Sequence, residues 1–217
     1  MPDTPSASPS STPSGPSYAD VAATLLARWP ETKLEPSLDR IQALVDLLGD
    51  PQSAYEVVHL TGTNGKTSTA RMIDALVRWL GLRTGRITSP HVESMTERIS
   101  IDGEPLSEEA FVRAYLDVAP YLDLVDADQL IPLSFFETVV GMALTAFSDA
   151  PVDIAIVEVG MGGAVDDPEV DALAQQRGAD LACPVLDDGH HLGLLLGDDD
   201  LCVGLDDPRL LDRDHGG

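Results

Sequence analysis

Glu56-Val57-Val58-His59-Leu60 runs without a break into Thr61-Gly62-Thr63-Asn64-Gly65-Lys66-Thr67-Ser68-Thr69, and this stretch decides the fold. Its first five residues form a short run rich in β-branched side chains, the composition of a strand buried on both faces of a parallel sheet. Beyond the loop, Met72, Ile73, Leu76, Val77 and Leu80 recur at helical spacing until Gly81, and Arg83-Thr84-Gly85-Arg86-Ile87-Thr88 reads as a return strand. Strand, glycine loop, helix and strand make a βαβ unit. In that setting Gly62-x-x-Gly65-Lys66-Thr67 reads as a phosphate loop. The glycines let backbone N–H groups converge on phosphate oxygens, the helix N-terminus adds partial positive charge, and Lys66 supplies a mobile full charge. Candidate nucleotide contacts are Gly62, Thr63, Asn64, Gly65, Lys66, Thr67 and Ser68, with Thr67 or Ser68 able to reach a magnesium ion. The alternative is an ordinary strand-to-helix turn with a solvated lysine. The spacing is shorter than G-x-x-x-x-G-K-[ST], because Thr61 stands where the first glycine would fall, and it points to a particular branch of phosphate-loop enzymes.

Working outward, Ser17 is placed to cap a helix running through Trp29, with Asp20 at the capping-box position and Val21, Leu25 and Trp29 on one face. Pro30 ends it. Ser37 opens a second helix in which Leu38, Ile41, Val45 and Leu48 form an apolar stripe, stopped by Gly49 and Pro51. Ile99 to Ile101, turned by Asp102-Gly103, reads as a strand and tight turn, and Ser107-Glu108-Glu109 caps a helix to about Leu124. Ser134 to Phe147 is a further helix. Val152 to Gly160 is a second core strand, ending in Gly162-Gly163. The alternation predicts a three-layer α/β domain over residues 18–163, with ligands at the carboxyl ends of its strands.

The chain has 217 residues and a formal net charge of −24, which argues against nucleic acid or an anionic membrane met through a basic face. With 43% hydrophobic and 23% charged residues, the average composition is that of a globular protein rather than a disordered one. Residues 1–17 are an exception: 13 of the 17 are Pro, Ser or Thr, so a disordered arm is expected, with neither the basic start nor the apolar run of a secretory signal. No stretch nears the roughly 18 apolar residues of a membrane span. A cytoplasmic address follows as the default. Cys183 and Cys202, the only cysteines, lie outside every motif and give no disulfide framework.

Thr61-Gly62-Thr63-Asn64-Gly65-Lys66 is followed in order by Thr88-Ser89-Pro90-His91, Glu97-Arg98-Ile99 and Glu158-Val159-Gly160-Met161-Gly162-Gly163. In that order the motifs resemble the amino-terminal part of folylpolyglutamate synthase and dihydrofolate synthase, in the Mur ligase family, and particularly the actinobacterial bifunctional form. The resemblance covers roughly residues 28–163, and the Thr-Ser-Pro-His and Glu-Arg-Ile segments separate the folate branch from the cell-wall ligases. It implies a phosphate-loop central domain of Mur-ligase type that joins L-glutamate to dihydropteroate or a reduced folate. ATP and Mg2+ are the implied cofactors, and a monomer acting on small molecules is expected. A carboxylate is a poor electrophile, so ATP first converts it to an acyl phosphate, which the glutamate amine then attacks. Catalysis is then mostly positioning and charge neutralisation. The resemblance makes Lys66 and Glu158 the catalytic pair and Ser89, Glu158 and Thr67 the magnesium ligands, hard oxygen donors as that ion requires. Pro90, His91 and Arg98 become substrate contacts on a mobile loop, Ser89–Arg98. Ser89 also reads as a turn residue before Pro90, Glu158 as an acid that happens to end a strand, and Arg98 as a tie between the loop and its own domain. His59 reads as a core histidine, and packing explains Phe135-Phe136-Glu137 as well as substrate contact does.

The resemblance stops at Gly163. Where the family continues like Arg-x-Asp-x-Thr-Asn-Val, this chain reads Ala164-Val165-Asp166-Asp167-Pro168-Glu169-Val170. Residues 164–217 hold 14 acids against three Arg and contain no Ile, Ser, Thr, Phe, Tyr, Trp, Lys, Met or Asn. Two explanations fit: a low-complexity acidic tail, or an out-of-frame reading of GC-rich coding sequence. Either predicts that the tail does not complete the sheet and that the domain is incomplete, cut off before the family's later lysine and its second domain. Asp187-Asp188-Gly189-His190-His191 reads as a solvated stretch rather than a metal site. The rival functions are a different Mur-type amino-acid ligase and a non-catalytic nucleotide-binding fragment.

Overall fold

A six-stranded sheet with the order β4-β3-β2-β5-β1-β6 organises the chain. The structure is a computed structural model and describes residues 15–30, 39–61, 65–158 and 202–205. Its strands are β1 (Glu56–Thr61), β2 (Thr84–Ile87), β3 (Ile99–Ile101), β4 (Glu104–Pro105), β5 (Ile154–Glu158) and β6 (Cys202–Leu205). The centre is parallel: β5 lies between β1 and β2, with His59 opposite Val157 and Leu60 opposite Glu158. The edges are antiparallel, with β3 and β4 on one side and β6 on the other. Each parallel pair encloses a helical crossover, and β2, β5 and the Val58–Leu60 stretch of β1 carry side chains that are mostly buried, as their continuous apolar character requires.

Helices cover both faces. On one side α3 (Lys66–Trp79) sets Ala70, Ile73 and Val77 against Val58, Leu60, Ile154 and Ile156. On the other, α1 (Tyr18–Leu26), α2 (Asp39–Leu48), α4 (Glu108–Asp128) and α5 (Phe135–Asp149) share one core with Ile87, Ala155 and Val157. The three expected layers are therefore present among the described residues. Strand alternation sorts the site: Glu158 follows Ile154 and Ile156 onto the α3 face, whereas Val157 faces the larger core.

Local chemistry sets the boundaries. Ser17 and Asp20 form a reciprocal capping box at α1, and Ser134 and Glu137 form another at α5. Asp102 and Gly103, both at positive φ (51° and 86°), turn β3 into β4 as the Asp-Gly pair predicts. Two expectations are corrected. Helix α1 ends at Leu26 rather than Trp29: the chain turns at Ala27 and Arg28, and Trp29 pairs beside Ser134 instead, its carbonyl accepting from the Phe135 amide at 2.9 Å. The tail, expected not to complete the sheet, adds one strand, Cys202–Leu205, antiparallel to β1. The helical spacing read over Met72–Leu80 does form a helix, with Ile73 and Val77 turned inward and Met72, Leu76 and Leu80 exposed. Ser37, Leu38, residues 1–14, the 159–163 end of the second core strand and Asp187-Asp188-Gly189-His190-His191 lie outside the described residues.

Candidate active site

The carboxyl ends of β1, β2 and β5 meet the amino end of α3. Gly65 stands at the N-cap of α3 with φ 80°, a left-handed conformation that glycine adopts without strain and that turns the chain from the loop into the helix. Lys66 and Thr67 follow in the first turn and are half-buried, while Ser68 is exposed. Gly62, Thr63 and Asn64, the rest of the proposed loop, lie outside the described residues.

Thr67 and Glu158 are brought together. The Thr67 hydroxyl lies 2.8 Å from Glu158 Oε1 and 2.9 Å from Oε2, so it donates to the carboxylate in a nearly symmetric arrangement. The Ser89 backbone amide also donates to Glu158. Burial pushes the Glu158 carboxyl above the usual carboxylate range, opposed by the Thr67 hydroxyl, the Lys66 ammonium, the Ser89 amide and Arg71. An acid taken out of water yet ringed by donors and cations is poised to gain from a metal cation. The donor chemistry is compatible with magnesium: Thr67 Oγ1 and the Glu158 carboxylate are hard oxygen donors, and Thr67 keeps lone pairs for a metal while it directs its proton to Glu158; Ser89 meets Glu158 through its backbone amide. Among the described residues no group of three or more His, Cys, Asp or Glu side chains could hold a metal. A mixed hydroxyl–carboxylate site does not need one.

The segment from Ser89 to Arg98 is held at many points, although the sequence reading makes it a mobile loop. The Ser89–Pro90 peptide is cis. Residues Met95–Arg98 form a 3-10 turn capped by Ser94 and Glu97. Glu97 accepts three backbone N–H groups, from Val92, Glu93 and Ser94, at 2.8–2.9 Å. These bonds hold its carboxyl below the usual range. Tyr18 of α1 reaches the same turn, accepting from the Met95 amide and bonding to Ser94 Oγ. Sequence reasoning quoted Glu97 in a motif without giving it a role, and missed Tyr18. The Ser94-x-x-Glu97 spacing of a capping box was a readable signal for the first, whereas nothing local marks Tyr18.

Arg98 is 4% exposed, its guanidinium carbon 4.7 Å from the Phe135 ring centroid and its Nε 2.8 Å from His91 Nδ1. Of the three expected substrate contacts, Pro90 is exposed and His91 half-buried, while Arg98 is turned into its own domain. His59 is buried in β1, and desolvation lowers its pKa to about 4. It faces the larger core with Val57 and Val157, away from Glu158.

Parallel strands ending at a glycine-capped helix, with a threonine and a strand-terminal glutamate joined at that end, are the α/β framework of a phosphate-loop domain. No protein-family model matches the chain. Over 157 residues it is 52% identical to the dihydrofolate synthase/folylpolyglutamate synthase of Mycobacterium tuberculosis, a match spanning 69% of this chain and 32% of that protein. The solved structure of Mycobacterium tuberculosis folylpolyglutamate synthase complexed with ADP superposes with a TM-score of 0.64, over 69% of this chain and 33% of the other. A bifunctional folylpolyglutamate synthase/dihydrofolate synthase with Mn, AMPPNP and L-glutamate bound gives 0.60 at 29% identity, over 71% and 36%. The chain is homologous to the folylpolyglutamate synthase/dihydrofolate synthases, ATP-dependent glutamate ligases of Mur-ligase type. It spans about a third of the length of the relatives it matches.

Proposed function

We propose that this chain provides the nucleotide and metal half of a ligase that joins L-glutamate to dihydropteroate or a reduced folate. The junction of Thr67, Glu158 and Ser89 at the amino end of α3 carries the reading. In the proposed reaction a pteroate or folate carboxylate oxygen attacks the γ-phosphorus of ATP and ADP leaves, giving an acyl phosphate. The glutamate amine then attacks the acyl carbon, losing a proton as phosphate departs. Lys66 and the backbone amides of residues 65–68 hold the β- and γ-phosphates. Thr67, Ser89 and Glu158 hold Mg2+, which when bound neutralises charge on the phosphoryl group. Pro90 and His91 line the pteroate side, and Arg98 acts behind them. We place the chain in the cytoplasm, as a monomer with small-molecule substrates and without a nucleic-acid or membrane partner. Among the described residues no helix is long and apolar enough to cross a membrane.

One observation favours a second reading, nucleotide binding without turnover: the match covers only about a third of the relatives' length. Calorimetry with ATP–magnesium and an assay of glutamate incorporation into dihydropteroate separate the two. Removing the Lys66 charge in Lys66→Ala should weaken nucleotide binding roughly 10- to 100-fold, the range for losing a charged hydrogen bond. Equal affinity of both proteins would remove the phosphate-loop assignment. Binding without incorporation would select the second reading.

A further inference from the structure

We propose that Asp74 and Arg86 are a pair of positioning residues: buried between α3 and β2, they fix the axial register at which Thr67 of α3 meets Glu158 of β5. Asp74 is 1% exposed, and its carboxylate accepts from Arg86 Nη1, from the Thr84 hydroxyl at 2.5 Å and from Arg78 Nε at 3.1 Å. Arg86 also donates from Nη2 to Ser100 Oγ of β3 at 3.1 Å. One carboxylate of α3 is thereby tied to two side chains of β2, and through Arg86 to β3. Arg78 belongs to α3 itself, so its bond to Asp74 ties the helix to nothing else.

The spacings on helix and sheet match. Thr67 and Asp74 stand seven residues apart on α3, which puts them on one face, about 10 Å apart along the axis. On the sheet, Thr84 pairs with Ile154 and Arg86 with Ile156, so the partners of Asp74 centre three residues before Glu158, again about 10 Å. Both contacts therefore form at one position of the helix, and a slide of one turn, about 5.4 Å, breaks both. The rest of the contact is apolar, Ala70, Ile73 and Val77 against Val58, Leu60, Ile154 and Ile156. Such contact holds the helix to the sheet without direction, and does not say where along it the helix stops. A buried ion pair adds little stability over an apolar pair of the same size, and setting register is its best-attested use. Arg86 fits that account, because it is 7% exposed and its Nε has no hydrogen-bond partner among the described residues.

The inference deepens the proposed function and rests on it for one point, that the Thr67–Glu158 contact belongs to a metal and phosphate site. Arg86 bonds to neither of those residues and acts on them through the placement of α3. Its charge also reaches Glu158 across the gap, so a variant that leaves every charge in place is needed beside one that removes it.

Urea unfolding of the whole chain, without nucleotide or magnesium, provides the test as a double-variant cycle. Arg86→Met keeps an apolar stem, and Asp74 retains Arg78 and the Thr84 hydroxyl, so its charge is not left alone. Thr67→Val keeps the branched shape and removes the hydroxyl. Each should lower the folding equilibrium constant, and the double variant should lose less than the product of the two losses, by about threefold or more. Independent contacts this far apart multiply to within about twofold. Thr84→Val removes a bond to Asp74 and leaves the charges in place; it should couple to Thr67→Val in the same sense, and it decides alone if Arg86→Met does not fold. Multiplicative losses would overturn the proposal. Coupling with Arg86→Met but not with Thr84→Val would overturn it too, because charge rather than register would then link the two contacts. Calorimetry with ATP supplies the functional arm: magnesium should enhance affinity about threefold less in Thr84→Val than in wild type, and an equal enhancement would count as failure. If the wild type binds no ATP, the phosphate-loop reading falls while the cycle still decides the register. A multiplicative cycle in a chain that binds ATP–magnesium removes the register inference and leaves that reading intact.

Discussion

At the scale of single residues, Glu158 and His59 show how strand alternation gives two buried titratable groups opposite settings. Glu158 is 2% exposed, on the α3 face at a strand terminus, and burial raises its pKa while Thr67, Lys66 and the Ser89 amide restrain the rise. Magnesium would stabilise its ionised form. Glu158→Gln keeps the shape and removes the charge, so magnesium should enhance nucleotide affinity far less in the variant, and any glutamate incorporation should fall about 10²-fold. Titration calorimetry with and without magnesium checks the first, and an unchanged magnesium effect would take Glu158 out of the metal site. His59 lies 4% exposed on the opposite face, its pKa lowered to about 4 by desolvation alone. A depressed histidine binds fewer protons folded than unfolded, so its stabilising contribution is complete above about 6.5 and is lost as the pH falls toward 4. By pH 5 the loss amounts to about 2 kcal/mol. Urea unfolding of wild type and His59→Leu at pH 7 and pH 5 should show a smaller drop in the variant, and equal drops would mean that His59 is not protonated on unfolding.

At the scale of elements, the fold depends on how closely α5 approaches the sheet. A Cβ on Gly85 of β2 would lie 2.6 Å from Cγ and Cδ1 of Phe147, which is fully buried on α5. Neither strand nor ring can give way without moving the core, so Gly85→Ala should destabilise by about 1–3 kcal/mol. Phe147→Leu makes room and should recover part of that loss in the double variant, giving a favourable coupling in the unfolding free energies. Strictly additive effects would mean that the two do not meet. Such packing is invisible to sequence periodicity, whereas chemistry local to a few residues is legible. The Ser17–Asp20 box, the Asp102-Gly103 turn and the apolar run of β5 are written within two to five residues each, and the structure forms all three. The junction of Thr67, Ser89 and Glu158 was legible only through the order of distant motifs. The outward face of α3 was not legible, because Met72, Leu76 and Leu80 share the spacing of Ile73 and Val77 and differ only in which side meets the sheet. The pairing of Cys202–Leu205 was not legible either, because a four-residue run carries no record of its partner strand.

At the scale of the whole molecule, the question is what closes the sheet beside β1. A parallel strand left at an edge presents unpaired N–H and C=O groups, and β6 occupies that side of β1 with Leu60 opposite Val203 and His59 opposite Gly204. The run itself, Cys202-Val203-Gly204-Leu205, is uncharged, but Asp198-Asp199-Asp200 precede it and Asp206-Asp207 follow in a chain of net charge −24. Repulsion among these acids and the acidic body opposes the pairing, and ionic strength sets how strongly. Adjacent residues of an antiparallel strand direct their N–H groups to opposite sides, so the double replacement Val203→Pro and Gly204→Pro removes whichever of the two faces β1. Hydrogen exchange along β1 should then divide by alternation. Amides directed toward β6 should lose protection, while those directed toward β5 keep theirs. In the wild type, raising the salt from about 0.01 M to 0.15 M shortens the screening length from about 30 Å to 8 Å, and should increase protection of the β6-facing set alone. A response shared equally by both sets would mean that salt and proline act on the whole domain. No response in either set would mean that β6 does not close this edge in solution.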